Sequence, residues 1–173
     1  MTGPRRQRRA WLAIAALIAL TAGCGYTVGG NLPSHVRTVA VPIFRNRTQE
    51  PAIESVITSA VVNAFASNGR LKVVPVQQAD SLLDGEIIGY AVDSIAFDQS
   101  INAQVFRLRV TLNVQFRDLR DNSMLWRQDG LQERADFRVA GQVSRTMVLE
   151  ESAARQAAVD IGRKIVSLAL DRF

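Results

Sequence analysis

One cysteine and one histidine are all that the 173 residues contain of those two types, and that scarcity removes whole classes of chemistry. A lone cysteine closes no internal disulfide, and one cysteine with one histidine cannot supply the ligands of a zinc site. General-base chemistry usually recruits histidine or a carboxylate held in an apolar pocket. Here the single histidine, His35, sits beside Pro33 and Ser34 in a loop-like stretch, and the acidic residues fall mostly at turns, strand ends and exposed helix sides. No serine stands in a nucleophile-elbow pattern. The glycines of "GYTVGG" lack the lysine and the strand-to-helix setting of a phosphate-cradling loop. Internal repeats and low-complexity tracts are missing as well. These absences argue against an enzyme and against a metal or other cofactor site.

What is present begins with an N-terminal segment of three parts. Arg5, Arg6, Arg8 and Arg9 form a basic start, Trp11 to Leu20 is apolar throughout, and the small residues Thr21, Ala22 and Gly23 follow. That order is a bacterial secretory signal, and its apolar part is shorter than the roughly 20 residues of a membrane span. Residues 1–23 are therefore expected to be removed. Taking those four arginines from the twenty-one basic residues leaves seventeen against sixteen acidic ones. The mature chain is then close to neutral, and its composition gives no ground for nucleic-acid binding, which shows clustered Lys and Arg. The length that remains suits one domain.

Periodicity sets the expected elements of that domain. Residues 24–36 read as an extended tether, rich in Gly with one Pro, and residues 37–173 as the folded body. Val39 to Phe44 is a first strand, with Pro42 marking an edge or bulge. Ile53, Val56, Ile57, Ala60, Val61, Ala64 and Phe65 recur at the spacing of one buried helix face, and Asn68 and Gly69 supply a stop. "RLKVVPV" is a second strand. Leu83 to Phe97 is a third, weakened by Gly85 and Gly89. From Phe106 to Arg117 apolar and polar residues alternate without a break, the pattern of a strand with one face in the core. After the turn "DLRDNS" a fifth, irregular strand runs from Met124, and residues 140–147 read as a polar loop. A long helix is expected from about Leu149, with Ala154, Ala157, Ala158, Ile161, Ile165 and Leu168 as its buried stripe. The fold class is therefore an α/β sandwich (α+β), two helices on one face of a mostly antiparallel four- to five-stranded sheet.

Two resemblances add to this reading. "LTAGC" resembles the lipobox of bacterial lipoproteins, which implies cleavage before Cys24 and its modification by diacylglycerol and an N-acyl chain; Thr21 stands where Leu is commonest. Gly25, rather than Asp, follows the modified cysteine, which in lipoproteins of enteric type implies sorting to the outer membrane. The mature chain as a whole resembles the lipopolysaccharide-assembly lipoprotein family (LptE-like). That likeness is carried by "CGYTVGGNLPSHVRTVAVPIFRNRTQEP", "SNGRLKVV", "ADSLLDGEI" and "LWRQ" in joint order, followed by the Glu- and Ala-rich terminal helix. It implies a non-enzymatic protein lipid-anchored at the periplasmic face of the cell outer membrane. Its partner would be the outer-membrane β-barrel of the lipopolysaccharide translocon (LptD-like), with lipopolysaccharide itself as a second candidate partner. Contact with phosphates would call for arginine forks, and Arg107, Arg109 and Arg117 share one exposed strand face; a plainly solvated face is the alternative. A second functional class stays open, since strand–helix–strand after a lipobox also resembles lipoproteins that activate peptidoglycan synthases or support secretion pores. A purely structural envelope lipoprotein is a third.

Overall fold

The computed structural model of the chain describes residues 32–97, 103–138 and 143–171. The expected signal peptide, Cys24 and most of the tether lie outside the described residues. The described residues form one mixed sheet, two helices and a short 3-10 turn. Thr38–Ala40 (β1) and Arg45–Asn46 (β2) precede the helix Ile53–Asn68 (α1). Lys72–Val73 (β3), a short 3-10 turn at Val76–Gln78, and the long strands Ser81–Phe97 (β4), Ala103–Asp118 (β5) and Met124–Arg138 (β6) follow. The helix Val143–Asp171 (α2) closes the chain. Sheet order is β3-β1-β4-β5-β6, with β2 also paired to β4. Pairs among β4, β5 and β6 are antiparallel, whereas β1 lies parallel to both β3 and β4. The expected sandwich of two helices on a mostly antiparallel sheet is therefore present, its short strands β1, β2 and β3 adding parallel pairs.

The alternation on β5 builds the core as its pattern dictates. Leu108, Val110, Leu112, Val114 and Phe116 are buried at 1% exposure or less; the α2 backbone lies against β5 and β6, and Ile57, Val61 and Phe65 of α1, none of which is exposed, belong to the same core. Gly69 ends α1 in the left-handed region at φ 75°, its N–H donating to the Phe65 carbonyl at 3.1 Å. The terminal helix differs from expectation at both ends. It starts at Val143, so part of the expected loop is helical, and Glu150 and Glu151 lie beyond its first turn. In its early turns Met147 and Val148 are exposed, lining an open hollow with Pro51, Ala52 and Val56; without burial there is no apolar stripe to read. Farther on, Val166, Ala169 and Leu170 are buried while Leu168 is only half-buried. At the crossing with α1, a Cβ on Gly162 would stand 2.8 Å from the Ala60 carbonyl oxygen, so glycine sets how closely the helices approach.

The first expected strand, Val39 to Phe44, is broken in two. Val39 pairs with Ser81 and Ala40 with Leu82, but Arg45 pairs with Glu86, so one extra residue is accommodated around Pro42. The irregularity turns Ile43 to solvent and Phe44 into the core. Gly85 then does the opposite of weakening its strand. The Phe44 ring lies directly on it, where a Cβ would come 2.6 Å from the ring's Cγ. At Gly89 a register shift resets the alternation, exposing Ile88 and returning Tyr90 to the helix side.

The tether ends earlier than expected. Val36 is buried and Leu32 packs against the core; His35 Nε2 meets Asp118 Oδ2 at 2.5 Å. Next to it, Asp80 ties β1 to the start of β4. Its carboxylate accepts from the N–H groups of Arg37 and Thr38, each at 3.0 Å, and from the Thr38 hydroxyl at 2.8 Å. These bonds, the hydroxyl foremost, hold the Asp80 carboxyl below its ordinary range. Asp136 and Glu86 are lowered likewise, chiefly by hydrogen bonds from Arg107 and Arg47. A carboxylate whose folded pKa is depressed stabilises the fold above its unfolded pKa of about 4, and that contribution is lost as pH falls through the folded value. The urea midpoint should therefore stay level from about pH 7 to 5 and drop below about pH 4. Asp80→Asn should flatten part of that drop, and a midpoint that rises on acidification would contradict the assignment.

Candidate functional site

The sheet face turned away from the helices carries the expected arginines, and the register explains why they meet acids. Arg107 stands directly between Asp93 on β4 and Asp136 on β6. Its planar fork takes Asp136 through two bonds, Nε to Oδ1 at 2.7 Å and Nη2 to Oδ2 at 2.8 Å. Arg109, two residues along the same face, reaches diagonally to Asp93. Arg117 donates to Asp84 Oδ2 at 2.9 Å, and its Nε is buried without a partner among the described residues. The three arginines therefore share one face, as the alternation implies, but each arrives already paired with an aspartate from a neighbouring strand.

The same face holds more cations than β5 supplies. Arg45 and Arg47 both approach Glu86, and Arg127 pairs with Asp129. Arg134 lies opposite Arg109 and donates to Gln132, while Arg138 lies opposite Val105; neither has a carboxylate partner among the described residues. Arg134, Asp136 and Arg138 alternate with Ala135 and Phe137, a period-two signal present in "RADFR". Gly130, at φ 64° with its N–H on Asn113 Oδ1, breaks the register just before them and disguises it. A polar hollow of about 70 Å³ sits between Arg45, Asp84, Glu86, Gln115 and Arg127, room for a water or two by the volume of liquid water. The result is a flat surface of arginine–aspartate pairs with spare guanidinium donors.

The helix layer presents a second feature, an open groove of about 790 Å³ between α1 and α2, floored by Val56, Ala60, Val159 and Val166. Arg155 and Arg163 stand at its rim, each ion-paired along its own helix to Glu151 and Asp160. Tyr90 lies beyond its N-terminal end, where burial and the neighbouring Glu150, which accepts from its hydroxyl at 3.2 Å, push the phenol above its ordinary range. Among the described residues no three His, Cys, Asp or Glu side chains are grouped to hold a metal ion. No helix among them is long and apolar enough to cross a membrane.

Comparison with known proteins bears on the whole body. The family model of lipopolysaccharide-assembly (LptE) proteins matches residues 36–168. No curated protein matches the chain. Among solved structures the fold is similar to protein XCC0632 from Xanthomonas campestris, with TM-score 0.55 and 12% identity over 82% of this chain and 90% of that one. It is similar also to PelC from Paraburkholderia phytofirmans, a dodecamer, with TM-score 0.52 and 16% identity over 83% and 96% of the two chains. A minor lipoprotein from Acinetobacter baumannii gives 0.50 and 12% over 79% and 93%. At such identities these structures speak for the fold alone.

Proposed function

The chain belongs to the lipopolysaccharide-assembly (LptE) family, and from that premise we propose that it is a lipid-anchored accessory of an outer-membrane β-barrel in lipopolysaccharide assembly. The observation that carries this reading is the family match over residues 36–168, behind a "LTAGC" segment that ends in Cys24. Cys24 is the attachment point. A single acyl chain holds a protein to a bilayer only marginally, whereas two or more hold it firmly, and diacylglycerol with an N-acyl chain meets that requirement. The working site is the periplasmic face of the outer membrane. Non-enzymatic action is what membership of this family implies.

The sheet face is the surface offered to the partner, through Arg107, Arg109 and Arg117. Because their carboxylate partners already neutralise them, docking on a polar barrel wall needs no charge to be stranded. Contact with a phosphate would require each fork to leave its aspartate. Ion pairs this exposed add little to stability, so removing them separates folding from binding. The double variant R107A/R109A should melt like the parent protein yet lose most of its barrel on gentle co-purification. Unchanged barrel recovery would remove this face from the contact. The function itself is tested by depletion, which should cut arrival of newly made lipopolysaccharide at the cell surface; normal arrival would contradict the assembly role.

A further inference from the structure

The sheet leaves two edges open and treats them differently. Along β6, six charged residues between Arg127 and Arg138 and a register shift beside Gly130 blunt the free side, the usual protection against pairing with a foreign strand. β4 lacks that protection where its neighbours stop. β1 covers it at Ser81 and Leu82, and β2 at Glu86 and Ile87; from Gly89 to Ser94 no described strand lies on that side. This stretch pairs with β5 without a break, holds neither Lys nor Pro, and has Asp93 as its one charge. Its outward backbone groups follow from the register. Ile87 stands opposite Leu112 and turns its carbonyl outward to the Arg47 N–H, at 2.9 Å. Tyr90, Val92 and Ser94 stand opposite Val110, Leu108 and Phe106, the same alternate series of β5, so their N–H and C=O groups turn outward as well. Nothing among the described residues takes these groups up.

Beside this edge lies room for side chains. Tyr90 lines an open hollow of about 740 Å³ together with Pro51, Val56 and Met147. Its charge is one-sided, since Glu50, Glu150 and Glu151 line it against Arg155 alone. The Arg155–Glu151 pair, at 3.0 Å, leaves two carboxylates, and Tyr90 gives Glu150 a hydrogen bond but no charge. We propose that Gly89–Ser94 accepts an extended basic segment of another protein as an added strand, its alternate side chains entering the hollow. Main-chain hydrogen bonds hold the segment and the apolar lining selects its side chains. The spare carboxylates select a Lys or Arg among them. A second copy of this chain is disfavoured, because pairing edge to edge would bring two acidic hollows together. This rim is distinct from the arginine–aspartate face, and the inference stands whether or not that face meets a barrel.

The test uses the full-length protein in mild detergent and a fluorescent six-residue peptide, with valine second and sixth, lysine fourth and threonine elsewhere. Binding is read by anisotropy. Two further peptides carry backbone N-methyl groups at alternate residues, one at even and one at odd positions. An added strand pairs along one side only, so one of them should bind like the parent peptide and the other roughly tenfold or more weakly. Changing the lysine to glutamate should weaken binding several-fold at low salt and less at high salt. Val92→Pro removes an outward N–H and sets a ring in the path of the strand, and it should lose binding as the blocked peptide does. The methylated pair decides the matter even if Val92→Pro folds poorly. Equal binding by the two methylated peptides, no binding by the parent peptide, or indifference to the glutamate change overturns the proposal. A protein that excludes the peptide and scatters light as a dimer, turning monomeric in V92P, gives the edge to a second copy and overturns it too.

Discussion

Replacing Gly85 by alanine should cost the domain about 3 kcal/mol, the upper part of the range for overpacking a well-filled core. The reason is steric and local. The added methyl would meet the Phe44 ring, which is 2% exposed and has no solvent side to swing toward. The Phe44 backbone is fixed as well, its N–H donating to the Thr58 hydroxyl of α1 at 3.0 Å. A loss of that size lowers the melting temperature by roughly 10 °C in a domain of this length. The cause can be isolated by combining Gly85→Ala with Phe44→Leu, since a smaller side chain leaves room for the methyl. The double variant should be less destabilised than the sum of the two single changes, and the coupling read by urea denaturation is the signature of contact. Strict additivity, or a Gly85→Ala protein that melts with the parent, would show that the ring does not depend on the glycine.

The second large effect is expected at Cys24. In cells grown on labelled palmitate the parent protein should carry label, and its N-terminal peptide should begin at Cys24 with the mass of three acyl chains. Cys24→Ala should abolish the label completely, because no other residue of the chain offers a thiol and the thiolate is the nucleophile that accepts the lipid. This is an all-or-none readout of the chemistry proposed for "LTAGC". A fully labelled Cys24→Ala protein, or an unmodified cysteine in the parent, would remove the anchor.

How far the sequence reached can be judged element by element. The strand β5 was legible because its period-two pattern is set by its own residues, and α1 because its apolar face and glycine stop are both local. Gly85 is not legible in this way, for the opposite reason. A glycine in a strand looks like a weakness, and its purpose here is a ring forty-one positions earlier that only the fold brings over it. The start of α2 carries no apolar stripe, since Met147 and Val148 stay exposed among the described residues. Arg107, Arg109 and Arg117 were readable as one face. Their aspartates were not, since Asp84, Asp93 and Asp136 come opposite them only through the register of two strand pairs with bulges.

Whether this protein works beside a β-barrel, as proposed, is answered most directly by one measurement. The tagged full-length protein is purified from gently solubilised outer membrane, and the chains that accompany it are identified by mass spectrometry. A large outer-membrane β-barrel is expected in stoichiometric amount, lost with R107A/R109A. Recovery of a peptidoglycan synthase in its place, or of the protein alone, would contradict it.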